Sequence, residues 1–117
     1  DAATAPVRLY YTGWSSSTGE ADWGLRPLFA GDKTPPSMYN ISYYKNPTVD
    51  ADIMKALGTT DRAEKTKLYT EVQEEIWKDA PWAFLVTEKL LYATSKKLTG
   101  MYVMPDANYF FEEIDLQ

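Results

Sequence analysis

"DRAEKTKLYTEVQEEIWKDAP", residues 61–81, is the stretch that decides the fold of this chain. Asp61 and Glu64 have the D-x-x-E spacing of a capping box that starts a helix, and Pro81 cannot continue one. Between them, apolar residues recur at three- and four-residue intervals, which places them on one stripe: Leu68, Tyr69, Val72, Ile76, Trp77 and Ala80. The pattern predicts one long amphipathic helix that ends just before the proline.

A second helix is predicted over residues 48–58. Val49, Ile53 and Leu57 follow one another at intervals of four, and Gly58 is placed as the terminating residue. Only a short connection separates this helix from the next one. Because short connections join antiparallel neighbours, we expect the two helices to form an antiparallel pair.

A shorter helix is predicted over residues 21–31. Trp23, Leu28 and Phe29 approximate one apolar face. Asp22 stands in the first turn, where a carboxylate interacts favourably with the helix dipole. A glycine and a proline inside the stretch weaken this prediction, because both are poor helix formers.

Four stretches rich in β-branched and aromatic residues are predicted as strands: residues 7–14, 81–95 (one or two strands), 98–104 and 109–116. The first is apolar almost without interruption, which predicts burial on both faces. Three prolines within residues 31–47 predict an irregular excursion. Helices and strands do not alternate, so the predicted class is α+β, with a mixed sheet covered by the antiparallel helix pair.

The composition excludes several function classes. The net charge is −5 with a pI near 4.6, whereas a nucleic-acid partner requires a basic patch, so no nucleic acid is expected. The chain has no histidine and no cysteine, which removes Ser-His-Asp and Cys-His catalysis, disulfides and zinc–thiolate sites. No apolar run approaches the roughly 20 residues of a membrane span. We expect no enzyme, no metal and no cofactor.

Aromatic side chains make up 15% of the chain, which argues against disorder. Tyrosine and tryptophan suit surfaces that are half buried and half wet, such as an interface or a ligand cleft. Tyr39, Tyr43 and Tyr44 could form a sugar-stacking platform, but in a proline-rich excursion they are better explained as loop anchors. The aromatics of the long helix, together with Trp82, are expected in the core.

The candidate functional loop lies within "YYTGWSSSTGEADW", residues 10–23. Glu20 and Asp22 could be a paired acid and base, yet two positions apart in a loop they are better explained by solvation and helix-start charge. The hydroxyl run Ser15 to Thr18, followed by Gly19, precedes a helix start, where backbone N–H groups bind anions. It lacks the ending of a phosphate-binding P-loop, but binding of a carboxylate or another small anion stays open.

An ordered series of segments carries a resemblance to a known family: "YYTGWSSSTGEADW", "PLFA", "AEKTKLY", "SKKLTG" and "MPD". Over essentially all 117 residues the chain resembles the C-terminal part of the extracytoplasmic peptide-binding proteins of ABC importers, the dipeptide, oligopeptide and nickel group. Within that group it is most similar to the members that bind glutathione. No single segment is diagnostic, but the order of the segments is specific.

The resemblance implies a C-terminal fragment of a two-lobed periplasmic binding protein. Residues 5–85 would belong to the second lobe, and residues 86–117 would return to complete the first lobe. The implied function is solute binding for ABC-type import of glutathione or small peptides, with the membrane permease of the transporter as partner. Unpaired strand edges in such a fragment would invite pairing with another copy, so self-association is a further expectation.

The resemblance also implies site residues. In the family, the backbone of the strand that ends at the Gly-Trp position forms hydrogen bonds with an extended ligand. The corresponding residues in this chain are Gly13, Trp14 and Ser15. Many relatives place an Asp that pairs with the ligand ammonium group where this chain has Ser17. We therefore expect the neutral hydroxyls from Ser15 to Thr18, Ser16 included, to face the ligand.

The ammonium contact is expected from one of two carboxylates, Glu20 or Asp22. The γ-glutamyl end of glutathione carries an ammonium and a carboxylate on one carbon, and neutral hydroxyls can serve both. From composition alone, the alternative function is a stand-alone carbohydrate- or protein-interaction domain that uses a Tyr/Trp surface.

Overall fold

The computed structural model describes residues 3–4, 6, 9–104 and 106–117. Within these residues the chain forms three helices: α1 (Ala21–Phe29), α2 (Pro47–Gly58) and α3 (Arg62–Asp79). Four strands of two residues each follow: β1 (Leu98–Thr99), β2 (Tyr102–Val103), β3 (Tyr109–Phe110) and β4 (Asp115–Leu116). The three predicted helices are confirmed, and so is the mixture of helix and strand.

The starts of α2 and α3 are fixed by side-chain caps. The Asn46 side chain accepts hydrogen bonds from the backbone N–H groups of Thr48 and Val49, at 2.9 and 3.3 Å. Asp61 does the same at the start of α3, accepting from the N–H groups of residues 63 and 64 at 2.8 and 3.1 Å. These caps satisfy donors that a helix start leaves without a partner.

The reciprocal half of the capping box is made through a third residue. The Glu64 carboxylate accepts from the Thr59 hydroxyl at 3.0 Å, and that hydroxyl accepts from the Asp61 N–H at 3.2 Å. Thr59 therefore stands between two groups that a simple capping box would join directly. The D-x-x-E spacing correctly placed the helix start, but this relay could not be predicted from it.

The core lies where the three helices meet. Its buried side chains come from all of them: Leu28, Phe29, Ala30, Val49, Ile53, Ala56, Leu68, Tyr69, Val72 and Ile76. Trp14, Leu25, Tyr44 and Trp82 are partly buried against this cluster. Burial of apolar area in this cluster is the main favourable contribution to the stability of the helices.

The predicted burial is wrong for three residues of the helix stripes. Leu57 and Trp77 are 42% and 69% exposed, and Ala80 is also exposed. The reason is helical geometry: eight residues advance a side chain about 80° beyond two full turns, whereas seven fall only about 20° short. On α2 the buried position after Ile53 is therefore Ala56, and on α3 the stripe ends at Ile76.

The irregular excursion at residues 31–46 is held by one buried amide. Asn40 is fully buried, and its Nδ2 donates to the carbonyl oxygens of Ala30 and Tyr44 at 3.0 and 2.8 Å. Its Oδ1 accepts from the Ser42 hydroxyl and from the Tyr44 N–H, at 2.9 and 3.1 Å. Because a buried amide must be paired, this network fixes the course of the loop.

The predicted strands are only partly found. β1 pairs antiparallel with β4, and β2 with β3, so the predictions over 98–104 and 109–116 reduce to two-residue ladders. A Cβ on Gly100 would lie 1.7 Å from the carbonyl oxygen of Glu113, so this close approach requires glycine. In the described part of the chain each of these strands contacts only its ladder partner, and none contacts a helix.

The longer strands predicted at 7–14 and 81–95 are not formed by the residues of these stretches that the structure describes. Residues 9–14 and 83–95 have no strand pairing, and Val7 and Arg8 lie outside the described residues. A strand needs a neighbour for its backbone groups, and the described residues supply none to either segment. A mixed sheet covered by the helix pair is therefore not seen among the described residues.

Candidate functional site

The serine-rich loop at residues 15–20 is a hydrogen-bonded turn that precedes α1. The Gly19 N–H donates to the Ser16 carbonyl at 3.2 Å, and Gly19 has a φ of 67°, which glycine adopts at little cost. The Ser16 hydroxyl donates to the Glu20 carbonyl at 2.9 Å, and the Thr18 hydroxyl accepts from the Glu20 N–H at 3.2 Å. Two of the four hydroxyls therefore stabilise the turn itself.

Trp14 anchors this loop to α1 through a carbonyl that a proline leaves free. Pro27 has no N–H with which to bond the Trp23 carbonyl, four residues earlier in the helix. The indole Nε1 of Trp14 donates to that same carbonyl at 2.9 Å. The proline that weakened the helix prediction thus creates an acceptor for the tryptophan that begins the loop.

The Trp14 ring also packs against two other aromatic rings. Its centroid lies 6.1 Å from that of Trp23 and 5.1 Å from that of Tyr39. Tyr44 packs edge-on against Phe29, and its hydroxyl donates to the Asp79 carboxylate at 2.7 Å. The interpretation of these tyrosines as loop anchors therefore agrees with the contacts of two of them.

An open groove of about 570 Å³ lies beside Trp14. Pockets of this size accommodate small molecules. Ser16, Phe29 and Gln73 contribute to its wall. The full lining is formed by Trp14, Ser16, Gly24, Leu25, Leu28, Phe29, Gln73, Ile76, Trp77, Trp82, Phe84 and Thr87. The groove brings together the loop, two helices and the segment that follows α3.

The predicted site residues are divided between this groove and another part of the surface. Trp14 and Ser16 line the groove. Glu20 and Asp22 line a second depression of about 350 Å³, together with Thr18, Trp23, Leu57, Lys65 and Tyr69. Three others, Gly13, Ser15 and Ser17, are exposed and line neither. The structure therefore does not bring the predicted residues together in one pocket.

Asp22 already has charged and polar partners. Its carboxylate accepts from Arg26 Nε at 2.8 Å and from Nη2 at 2.7 Å, a bidentate pair one helical turn apart. This hydrogen bonding raises the pKa of Arg26. The Tyr69 hydroxyl lies 3.5 Å from the same carboxylate, and burial followed by the charge of Asp22 raises the pKa of Tyr69 to about 12.

Glu20 differs from Asp22 in this respect. It is the N-cap residue of α1 and is exposed, and its carboxylate makes no capping hydrogen bond. Among the described residues its side chain also has no ion-pair partner, although the helix N-terminus favours negative charge there. Of the two carboxylates at this site, only Glu20 is available to a ligand without breaking an existing ion pair.

Several groove residues were missed by sequence reasoning. Gln73 lies outside the apolar stripe predicted for the long helix, and Phe84 and Thr87 fall within the strand prediction over residues 81–95. Trp77, expected in the core, instead stacks on Phe84, with ring centroids 5.6 Å apart. Local periodicity carries no signal for a groove that is formed between separate segments, so none of these residues could have been assigned to it from the pattern.

A metal-binding cluster and a membrane-spanning helix are both absent from the described part of the chain. It contains no cluster of three or more carboxylate, histidine or cysteine side chains that could bind a metal ion. None of its helices combines the length and the apolar character needed to cross a membrane.

Comparison with known proteins identifies relatives. No protein-family profile matches the chain. It is 62% identical over 110 residues to the glutathione-binding protein GsiB of Pectobacterium atrosepticum, covering 94% of this chain and 21% of that protein. It is 54% identical over 111 residues to the proteins of the same name from Salmonella typhi and Escherichia coli K12, covering 95% of this chain and 22% of each.

The chain thus spans about a fifth of the length of these curated relatives. All of them carry the name of a binding protein, which agrees with the expectation of a non-enzymatic function at the level of the name. The resemblance identified from the ordered segments is confirmed: this chain is homologous to a fragment of the bacterial glutathione-binding proteins.

Proposed function

We propose that this chain supplies one side of the solute-binding cleft of a periplasmic protein that delivers glutathione or small peptides to an ABC importer. The observation that carries the proposal is the 54–62% identity, over nearly the whole chain, to proteins named for glutathione binding. The membrane permease of the importer is the proposed partner. The remainder of the longer protein would supply the facing side of the cleft.

The backbone before the loop is suited to an extended ligand. The backbone of residues 9–15 pairs with no other backbone group of the described chain. The N–H and C=O groups of Ser15 and the N–H of Gly13 are free, and the Gly13 carbonyl accepts only from the neighbouring Thr12 hydroxyl, at 3.3 Å. An extended peptide can bond to such groups as an added strand. The groove beside Trp14 would take an apolar part of the ligand, since most of its lining side chains are apolar.

The ammonium group of the ligand would be bound by Glu20. Asp22 is engaged with Arg26, so a ligand cation would have to compete with a bidentate ion pair. The hydroxyls of Ser15 and Ser17 have no partner among the described residues and could donate to a ligand carboxylate. Ser16 and Thr18 would act by holding the turn.

The lobe boundary is proposed where the packed helices give way to extended chain. Residues 5–85 would form part of the second lobe, and residues 86–117 would return to the first. Trp82 is partly buried on the helical core, whereas Leu85 and Val86 are 67% and 73% exposed. That change in burial supports a boundary close to residue 85.

Glu20→Gln in the longer protein tests the proposed cation contact. A charge-assisted hydrogen bond contributes about 1.5–3 kcal/mol, so we expect glutathione affinity to fall by roughly 10- to 100-fold in isothermal titration calorimetry. Glu74→Gln, an equal change at an exposed position of α3, is the control and should leave affinity unchanged. Equal affinities for the Glu20 variant and the wild type would refute the assignment.

Ser17→Asp tests the specificity of the loop. Restoring the carboxylate that many relatives carry should favour ordinary dipeptides, which have an ammonium but no carboxylate on the same carbon. Competition titrations with glutathione and a dipeptide measure the preference. An unchanged preference would show that this loop does not discriminate between the two ligands.

A further inference from the structure

The second depression, which Glu20 and Asp22 line, is also lined by a lysine of α3, Lys65. Among the described residues neither the Lys65 ammonium nor the Glu20 carboxylate has an ion-pair or hydrogen-bond partner. The other half-buried lysine of the described chain, Lys33, is paired with Asp32. An unpaired cation and an unpaired anion therefore lie in one depression and do not pair with each other.

The other ionisable groups of the depression are already engaged. The Asp22 carboxylate is held in its bidentate pair with Arg26, and the Tyr69 hydroxyl lies 3.5 Å from that carboxylate. Burial, followed by the charge of Asp22 and, more weakly, that of Glu20, raises the pKa of Tyr69 to about 12, so its phenol is neutral at pH 7. The charges left for a ligand are thus one negative, on Glu20, and one positive, on Lys65.

The depression adjoins the groove beside Trp14. Ser16 lines the groove and Thr18 lines the depression, and their hydroxyl oxygens lie 3.4 Å apart. Trp14 and Trp23 also line one each, with ring centroids 6.1 Å apart. The volume of about 350 Å³ is within the range of small-molecule sites. A ligand the length of a tripeptide can therefore cross the loop and occupy both concavities.

We propose that Lys65 is a specificity-determining residue, which binds the carboxylate on the γ-glutamyl α-carbon of glutathione while Glu20 binds the ammonium on the same carbon. The assignment rests on the proposed function, which places glutathione at this surface. An ordinary peptide N-terminus carries the ammonium alone and would leave the Lys65 charge without a partner. Charge-assisted hydrogen bonds are stronger than neutral ones, so the contact with Lys65 would outweigh one with a serine hydroxyl. The hydroxyls of Ser15 and Ser17 stay available to the second carboxylate of glutathione.

Titration calorimetry of the longer protein with two ligands tests this proposal. One ligand is glutathione; the other is 4-aminobutanoyl-cysteinyl-glycine, which keeps the ammonium and lacks the carboxylate on that carbon. Lys65→Met should weaken glutathione binding by roughly 10- to 100-fold, because a charge-assisted bond is lost, and leave the affinity for the analogue unchanged. Lys65→Arg keeps the cation and should retain most of the wild-type affinity for glutathione.

Lys67→Met is the matched control. Lys67 is an exposed residue of the same helix, and its ammonium pairs with Glu71 at 3.8 Å, so this change should alter neither affinity. Wild-type affinity for glutathione in Lys65→Met, or an equal loss of affinity for both ligands, would overturn the role of Lys65 and leave the proposed function standing. Failure of the wild-type longer protein to bind glutathione would overturn both.

Discussion

Two regions of this molecule differ in how well they bury apolar side chains and pair polar groups. One is the helical unit of residues 14–82; the other comprises the extended segments of residues 9–13 and 83–97. In the helical unit Val49 and Val72 are fully buried, and no buried side-chain polar atom among the described residues lacks a partner. In the extended segments Leu9 and Leu91 are each 91% exposed. Helices pair their backbones internally, whereas strands depend on distant chain, so only the helical unit is complete in this fragment.

The largest expected difference between the two regions is the loss of stability when a large apolar side chain is truncated in each. Ile53→Ala, in the helical core, is expected to cost about 2–5 kcal/mol in urea unfolding of the isolated chain, since it leaves a cavity. Leu91→Ala removes the same number of carbon atoms from an exposed site and should stay within about 0.5 kcal/mol. Comparable losses at the two positions would mean that the extended segment is packed in the isolated chain.

The boundary between the regions can be tested at Trp14. Trp14→Phe removes the indole donor from the Trp23 carbonyl and is expected to cost about 1 kcal/mol. In a Pro27→Ala background the restored N–H can pair with that carbonyl, so the cost of Trp14→Phe should shrink. A double-mutant cycle in urea measures the coupling. Additive effects would show that the indole bond does not replace the bond lost at the proline.

A smaller effect is expected from alkaline titration of the helical unit. Burial first, and then the hydrogen bond with Asp79, raises the pKa of Tyr44 to about 12, while burial and Asp22 raise that of Tyr69 to about 12. Unfolded tyrosine has a pKa of about 10, so this stabilisation is present below about pH 10 and is lost as the pH rises towards 12. Helix content by circular dichroism should fall in that window.

Tyr44→Phe provides the comparison for that titration. The variant has one phenol fewer to ionise, so its loss of stability between about pH 10 and 12 should be smaller than that of the wild type. Its stability at neutral pH should be slightly lower, because the bond to Asp79 is gone. Identical alkaline curves for the variant and the wild type would indicate that ionisation of the Tyr44 hydroxyl contributes nothing to the loss of stability.

The sequence predicted the helical unit better than the rest for a physical reason. The information for a helix lies within a few residues: Asp61 caps α3, Pro81 follows its end, and Ile53 lies on the stripe of α2. The errors at Leu57 and Trp77 arose because a four-residue interval drifts around the helix when it is extended over eight residues. That drift is readable from the sequence once the angle is counted.

The strands and the site were less predictable because they depend on non-local chain. Residues 81–95 have strand composition, yet composition cannot supply the neighbouring strands that this fragment lacks. The groove beside Trp14 is formed by segments as far apart in sequence as Ser16 and Thr87. The pairing of Asp22 with Arg26 was readable as an i, i+4 pair, and it would have favoured Glu20 as the ligand contact.

Calorimetric titration of glutathione into the longer protein and into the isolated chain tests most directly whether this chain forms only one side of the cleft. We expect clear binding by the longer protein and binding at least about 100-fold weaker by these residues alone, because an open groove on one side leaves most of a ligand in water. Micromolar binding by the isolated chain, equal to that of the longer protein, would contradict it.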